Sequence, residues 1–287
     1  MLLSSLRKQS HRSILKRFQQ THRGMESAEV VSFDVFDTLL MRRVLKPTDV
    51  FRRMEEELGS SVKGFCAWRV EAERVARQQA PASHASEVTL EEVYDVLCQE
   101  HTQLADRRGE LLTQELQVER DVTTVHPFGR VLFARARALG LRIVLLSDMY
   151  LPEAVIEELL RNHGYRGAFD LYVSNTCRQS KSHGALFPTV VGELGCRPEQ
   201  ILHIGDNWHA DYKMARKAGW RAIHIPKLSD TLEAAAIDRP LAQSILEALR
   251  LRRFAEALFL PENSRSFWLR VGGKWLPRFT GALSRIP

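Results

Sequence analysis

"VVSFDVFDTLLMRR" (Val30–Arg43) decides the fold. A short apolar, β-prone run ends in Asp34, and Asp37 and Thr38 follow at once. Open α/β sheets bind ligands beyond the carboxyl ends of their strands, so a strand ending in carboxylates delivers them to a site. Phe36 stands between the two acids, where an enzyme built on a close carboxylate pair would place an acid.

Further strand-like runs follow: "LRIVLLSD" (141–148), "FDLYVSN" (169–175), "QILHIGD" (200–206) and "RAIHIP" (221–226). Between them lie helical stretches, "PEAVIEELLRNHG", "HGALFPTVVGELG" and "HADYKMARKAG", the first with Pro152 near its start and the last ending at Gly219. Proline at a helix start and glycine past its end are the expected punctuation. Short apolar strands alternating with such helices predict an α/β protein with a parallel, doubly wound sheet. The interval from Asp34 to Ser147 breaks this rhythm, being several times the ~30 residues of a plain βαβ step. It reads as helical throughout, with Thr89 and Glu92 spaced as a capping box. Placed after the Asp34 strand, this all-helical insertion would hang over the strand's carboxyl end as a lid.

Composition narrows the class. Hydrophobic residues make up 44% and charged residues 26%, ordinary values for a globular chain rather than a disordered one. No stretch approaches the ~18–20 apolar residues of a membrane span. Cys66, Cys98, Cys177 and Cys196 form no CxxC pair, which suits reduced thiols and a cytoplasmic location. The net charge of +6 comes from the N-terminus, where Arg7, Lys8, Arg12, Lys16, Arg17 and Arg23 are unaccompanied by any acid. The rest of the chain is neutral, so the basic balance gives no argument for nucleic-acid binding. The basic, partly apolar leader reads as a solvated, partly helical extension; its composition also suits a membrane surface. In the C-terminal tail Phe267, Trp268, Trp275 and Phe279 are expected to pack back onto the chain, with a partner-binding surface as the alternative. The expected organisation is a basic extension over 1–27, a core over 28–46 and 124–230, a helical insertion over 47–123 and a helical extension over 231–287.

Four polar signals sit at or just past strand ends: Asp34 with Thr38, Ser147 in "LLSDMY", Lys181 in "CRQSKSHGALF", and Asp206 with Asp211 in "IGDNWHAD". In this order on a parallel sheet they resemble the haloacid dehalogenase (HAD) superfamily, with its Rossmann-like core and an insertion at the position of the family's helical C1-type cap. The resemblance implies a Mg²⁺-dependent phosphohydrolase in which Asp34 is the nucleophile of an aspartyl-phosphate pathway. It implies that Asp34, Asp206 and the Phe36 backbone carbonyl hold Mg²⁺, with Asp211 supporting the metal or orienting Lys181. Ser147 and Lys181 would contact the transferring phosphoryl group, Thr38 would brace the turn, and Asp148 would lie on the substrate side.

In HAD phosphatases a second Asp usually stands two residues after the nucleophile and serves as acid and base. Here Phe36 occupies that position. Either Asp37 turns inward to take the role, or the substrate or lid makes the acid unnecessary, or turnover is slow or absent. The dehalogenase branch also lacks this carboxylate, but the retained Asp206 and Asp211 favour phosphate chemistry. "SFDVFDTLL" with Arg42, "RVEAERVAR", "SDMYLP" and "ILHIGDN" resemble a bacterial group of HAD-type predicted hydrolases associated with glycosyltransferases of surface-polysaccharide synthesis. That resemblance implies a small phosphorylated substrate, such as a sugar or glycan precursor, and association with a glycosyltransferase or membrane surface. Arg42 is the leading candidate for substrate recognition. Arg69, Glu73 and Arg74 read as a solvated charge ladder or, alternatively, as cap-side recognition. His203 and His224 read as core histidines, and His209 beside Trp208 is left open.

Overall fold

The computed structural model describes residues 20–225 and 227, with the exception of 85. The leader up to residue 19 and the 231–287 extension with its aromatic tail lie outside the described residues. A helix over residues 20–26 (α1) precedes strand β1 (Val30–Asp34), and β2 (Leu40–Arg42) follows. Four helices come next: α2 (Asp49–Leu58), α3 (Phe65–Gln79), α4 (Leu90–Glu100) and α5 (Arg108–Val122). Then come β3 (Thr123–Val125), α6 (Pro127–Ala138), β4 (Arg142–Ser147), α7 (Glu153–Asn162), β5 (Asp170–Val173), the single turn α8 (Ser174–Cys177) and α9 (Leu186–Leu194). Strand β6 (Ile201–Gly205), a π-helical segment (Trp208–Met214), α10 (Ala215–Lys217) and β7 (Arg221–His224) complete the described chain.

The main sheet is parallel, in the order β5-β4-β1-β6-β7. Strand β1 is buried along its length, as expected where helices cover both faces of a parallel sheet. Successive side chains feed opposite layers. Val31 and Phe33 join one apolar cluster with Leu145, Ile204 and Phe133, while Val30 joins Val144, Leu146, Phe187 and Trp220 in the other. The register sets Asp34 beside Leu146 and Phe33 beside Ile204, so β1, β4 and β6 present their last residues to one edge.

The helices α2–α5 stand between β2 and β3, which pair antiparallel (Leu40↔Val125, Arg42↔Thr123) as a short stem. This ribbon adds to the elements expected from sequence; strands of three residues carry too little alternation to be read. The capping box of α4 forms, with Thr89 N donating to Glu92 Oε2 at 2.7 Å and Glu92 N to Thr89 Oγ1 at 3.2 Å. The segment after Asp206, expected as an ordinary helix, starts as a π-helix, a form that recurs at functional sites. Its wide coil lies where Asp211 turns inward.

Helical insertion and core meet along a charged seam. Arg120 pairs with Glu158 at 2.9 Å, Arg178 with Glu92 at 2.8 and 2.9 Å, and the buried Glu87 accepts from Ser174 Oγ at 2.5 Å. On the stem side Arg42 spans to Glu119.

Candidate active site

Asp34 leaves β1 almost wholly buried, and Lys181 Nζ donates both to Asp34 Oδ1 and, at 2.6 Å, to Asp211 Oδ1. Burial lifts the Asp34 carboxyl well above the usual range, with Asp211 and Asp206 adding to the rise and Lys181 opposing it. Asp211 moves the other way: burial disfavours its charge, but Lys181 and His203 outweigh burial and hold it below the ordinary value. Lys181 stays protonated, because its carboxylate partners overcome its own desolvation.

Asp211 is held from three sides. Besides Lys181, its Oδ2 accepts from Asn207 N at 2.8 Å, and His203 Nε2 lies 3.2 Å from Oδ1. Burial depresses the His203 pKa, and the neutral tautomer that serves both its contacts donates from Nε2 to Asp211 and accepts at Nδ1 from Ser32 Oγ, 2.9 Å away. His203 is therefore a core histidine that also orients a site carboxylate. The approach of Asp211 requires a residue without Cβ at Gly205, where an added Cβ would meet Asp211 Cγ at 2.3 Å. Gly129 has the same function beside the nucleophile loop, where α6 presses to within 2.0 Å of Thr38 O for a built Cβ.

Asp206 receives the Thr38 hydroxyl at 3.4 Å and the Lys227 ammonium at 3.3 Å. Burial raises its carboxyl to about 6 against the pull of Lys227. His224 Nε2 lies 2.6 Å from the Asp206 carbonyl. Asp37 adopts a left-handed backbone (φ 61), and its Oδ2 meets the same Lys227 at 3.2 Å. One ammonium thus ties Asp37 to Asp206. Lys227 follows β7 outside every motif quoted above, and sequence reasoning missed it.

Asp34, Asp206 and Asp211 each offer an oxygen within 4.8 Å of the others, and all three are buried. Asp34 Oδ2 is buried with no hydrogen-bond partner among the described residues. Carboxylates outnumber lysines here: Asp34, Asp37, Asp206 and Asp211 face Lys181 and Lys227. An all-oxygen, net-negative donor set with an unpaired oxygen fits a hard divalent cation.

Ser147 ends β4 and is buried. Asp148 braces the lysine loop: its two oxygens accept from Lys181 N at 2.8 Å and Ser182 N at 3.0 Å. Asp148, expected on the substrate side, is thus placed by two backbone donors. Arg42, the leading candidate for substrate recognition, is engaged by the helical insertion. Its Nε and Nη2 donate to Glu119 at 2.8 and 3.0 Å, and its guanidinium lies 4.4 Å from the centroid of Phe36. Arg69 is no solvated rung either; it is wholly buried, bonded to Glu115 at 2.8 Å through both Nε and Nη2. Arg74 does remain exposed, paired with Glu71. Exposed His209 lies 3.2 Å from Ser182 O through Nε2, and half-exposed Trp208 stacks on Tyr212 at 4.4 Å.

Residues 28–219 match the profile of the haloacid dehalogenase-like hydrolases. The chain belongs to that family. A curated HAD-like relative, haloacid dehalogenase-like hydrolase domain-containing protein 3 of Xenopus laevis, is 30% identical over 124 residues, which is 41% of this chain and 50% of the relative. The chain thus spans about half the length of that HAD protein. Among solved structures, a dehalogenase with an intermediate complex aligns with 70% of this chain and 86% of its own (13% identity, TM-score 0.50). A HAD-hydrolase of Bacillus subtilis bound to magnesium aligns with 73% and 99% (18% identity, TM-score 0.50). At such identities the likeness shows the HAD fold: a parallel five-stranded sheet flanked by helices.

Proposed function

We propose that this HAD hydrolase is a phosphohydrolase acting on a small phosphorylated substrate, such as a sugar or glycan precursor, through an aspartyl-phosphate. The observation that carries this reading is the unpaired Asp34 Oδ2 inside a buried carboxylate cluster whose lysine bonds the other oxygen. Lys181 holds Asp34 in place and opposes the rise that burial imposes on its carboxyl. In the first step Asp34 Oδ2 bonds to phosphorus while the bond from phosphorus to the leaving oxygen breaks. In the second, water attacks the acyl phosphate, releasing phosphate and restoring the carboxylate. Asp34, Asp206 and the Phe36 carbonyl would hold Mg²⁺, with Asp211 in support; bound there, Mg²⁺ neutralises charge on the phosphoryl oxygens.

Asp37, tied beside Asp206 by Lys227, takes the acid–base role that Phe36 cannot perform: in its protonated form it gives the leaving oxygen a proton, and the carboxylate so formed takes a proton from the attacking water in the second step. General acid assistance contributes ~10²- to 10⁴-fold, and most where the leaving group is poor. The test is turnover with Mg²⁺ of an aryl phosphate and of alkyl and sugar phosphates, for wild type, Asp34→Asn and Asp37→Asn. Asp34→Asn should abolish all turnover, and Asp37→Asn should suppress alkyl far more than aryl cleavage. Equal activity of Asp37→Asn and wild type on alkyl phosphates would remove Asp37 from the mechanism. Turnover surviving in Asp34→Asn would remove the covalent pathway.

A further inference from the structure

Two ion pairs lie side by side in the seam over the nucleophile loop. Glu115 and Glu119 stand one turn apart on α5, Glu115 taking Arg69 and Glu119 taking Arg42, each through two nitrogens. Tyr94 adds a hydroxyl donor to Glu115 Oε2 at 2.8 Å. All four charged groups are buried; each guanidinium is held by one carboxylate through two nitrogens, and Arg69 Nη1 also reaches Glu73 at 3.4 Å. Tyr150 adjoins both pairs. Its ring lies 4.8 Å from the Arg69 guanidinium, and its hydroxyl lies within the fields of Glu115, Glu119 and Arg42. The residue is 7% exposed, and its hydroxyl makes no hydrogen bond among the described residues. The ring is packed away while the hydroxyl is left able to bond a ligand.

The position of this hydroxyl relates it to the reaction. Tyr150 follows Ser147 and Asp148 on the loop leaving β4, and Arg42 overlies Phe36, two residues past Asp34. We propose that Tyr150 is a specificity-determining residue that hydrogen-bonds a hydroxyl of the leaving group, and that the seam around it, whose guanidiniums are already held by carboxylates, selects uncharged, hydroxyl-bearing leaving groups over carboxylate-bearing ones. This rests on the phosphohydrolase reading above. A carboxylate entering here would face Glu115 and Glu119 with both guanidiniums already taken, and would have to break a buried bidentate pair to gain a partner. A neutral hydroxyl has no such conflict and satisfies Tyr150. Sites built to bond a substrate hydroxyl reject analogues that lack it, because the protein group is then left unpaired.

The experiment is calorimetric titration of Asp34→Asn protein, with Mg²⁺ present, by sorbitol 6-phosphate, 3-phosphoglycerate and inorganic phosphate, alongside turnover of the two esters by wild type. Sorbitol 6-phosphate should bind at least about tenfold more tightly than 3-phosphoglycerate, and Tyr150→Phe in the same background should erase most of that margin. A second change, Glu115→Gln, leaves Arg69 with only its longer contact to Glu73 and should move the preference toward 3-phosphoglycerate by about tenfold. Equal or tighter binding of 3-phosphoglycerate in the parent would overturn the proposal. So would a parallel loss for all three ligands in Tyr150→Phe, or an unmoved preference in Glu115→Gln. If the ligands bind in the expected order but wild type turns none over, the phosphohydrolase reading alone fails. If nothing binds, including phosphate, both fall.

Discussion

Arg42 links the nucleophile loop to the helical insertion: its guanidinium covers the ring of Phe36 at 4.4 Å and grips both oxygens of Glu119 on α5. An aromatic face suits a desolvated guanidinium, so Phe36 is the floor of this contact. An acid at that position would lie against the arginine instead of under it.

Replacing Phe36 by Asp should therefore not produce a better phosphatase. The new carboxylate is drawn to Arg42 and competes with Glu119. The ratio of alkyl to aryl phosphate turnover should stay near that of wild type. A rise of about 10²-fold or more would show that position 36 is open to acid–base work after all.

Breaking the Arg42–Glu119 pair from one side strands a buried charge. Arg42→Met and Glu119→Leu should each destabilise the protein by about 3–5 kcal/mol, and the double variant by clearly less than their sum. Urea unfolding of the four proteins in the cycle measures this. Additive losses would mean that the two groups do not support each other.

Gly205→Ala tests how closely Asp211 must pack against β6. The methyl would meet Asp211 Cγ at 2.3 Å, forcing the carboxylate away from Lys181, Asn207 N and His203. Loss of turnover is expected, with destabilisation on the order of 1–3 kcal/mol by overpacking. Full activity in this variant would contradict the placement of Asp211.

His126 should make the protein acid-sensitive. It caps α6, accepting at Nδ1 from Gly129 N at 3.3 Å, and burial lowers its pKa to about 4. Between about 6.5 and 4 the unfolded chain binds a proton that the folded protein refuses, so stability falls as pH drops through that window. The full contribution is about 3 kcal/mol. His126→Asn keeps an acceptor for Gly129 N and does not titrate. Its urea midpoint should shift less between pH 7 and 4.5 than that of wild type, and equal shifts in both proteins would exclude His126 as the source.

The sheet and the carboxylates at its edge were legible because each depends on local pattern: an apolar run, then an acid, repeated at β1 and β6. Asp34, Lys181, Asp206 and Asp211 do converge. The partners of the arginines were not legible because they are distant in sequence. Arg42 meets Glu119 and Arg69 meets Glu115 across separations that no helical spacing rule spans. Arg69 next to Glu73 satisfies an i, i+4 pattern, and the structure keeps that contact at 3.4 Å as a secondary one. Lys227 carried no signal at all, since a single lysine after a strand acquires meaning only from the acids that the fold brings to it.

The spacing of Glu115 and Glu119 on α5 limits how freely this core and its insertion can be exchanged. The second arginine, Arg69, is supplied by the insertion itself and would travel with it. Arg42 belongs to the stem and would stay behind. A chimera pairing this core with a foreign cap would thus inherit a buried cation over Phe36 with nothing opposite, unless the graft also places a glutamate one turn before the stem. Recombination between relatives should accordingly succeed with Arg42 and Glu119 moved together, and fail when they are parted.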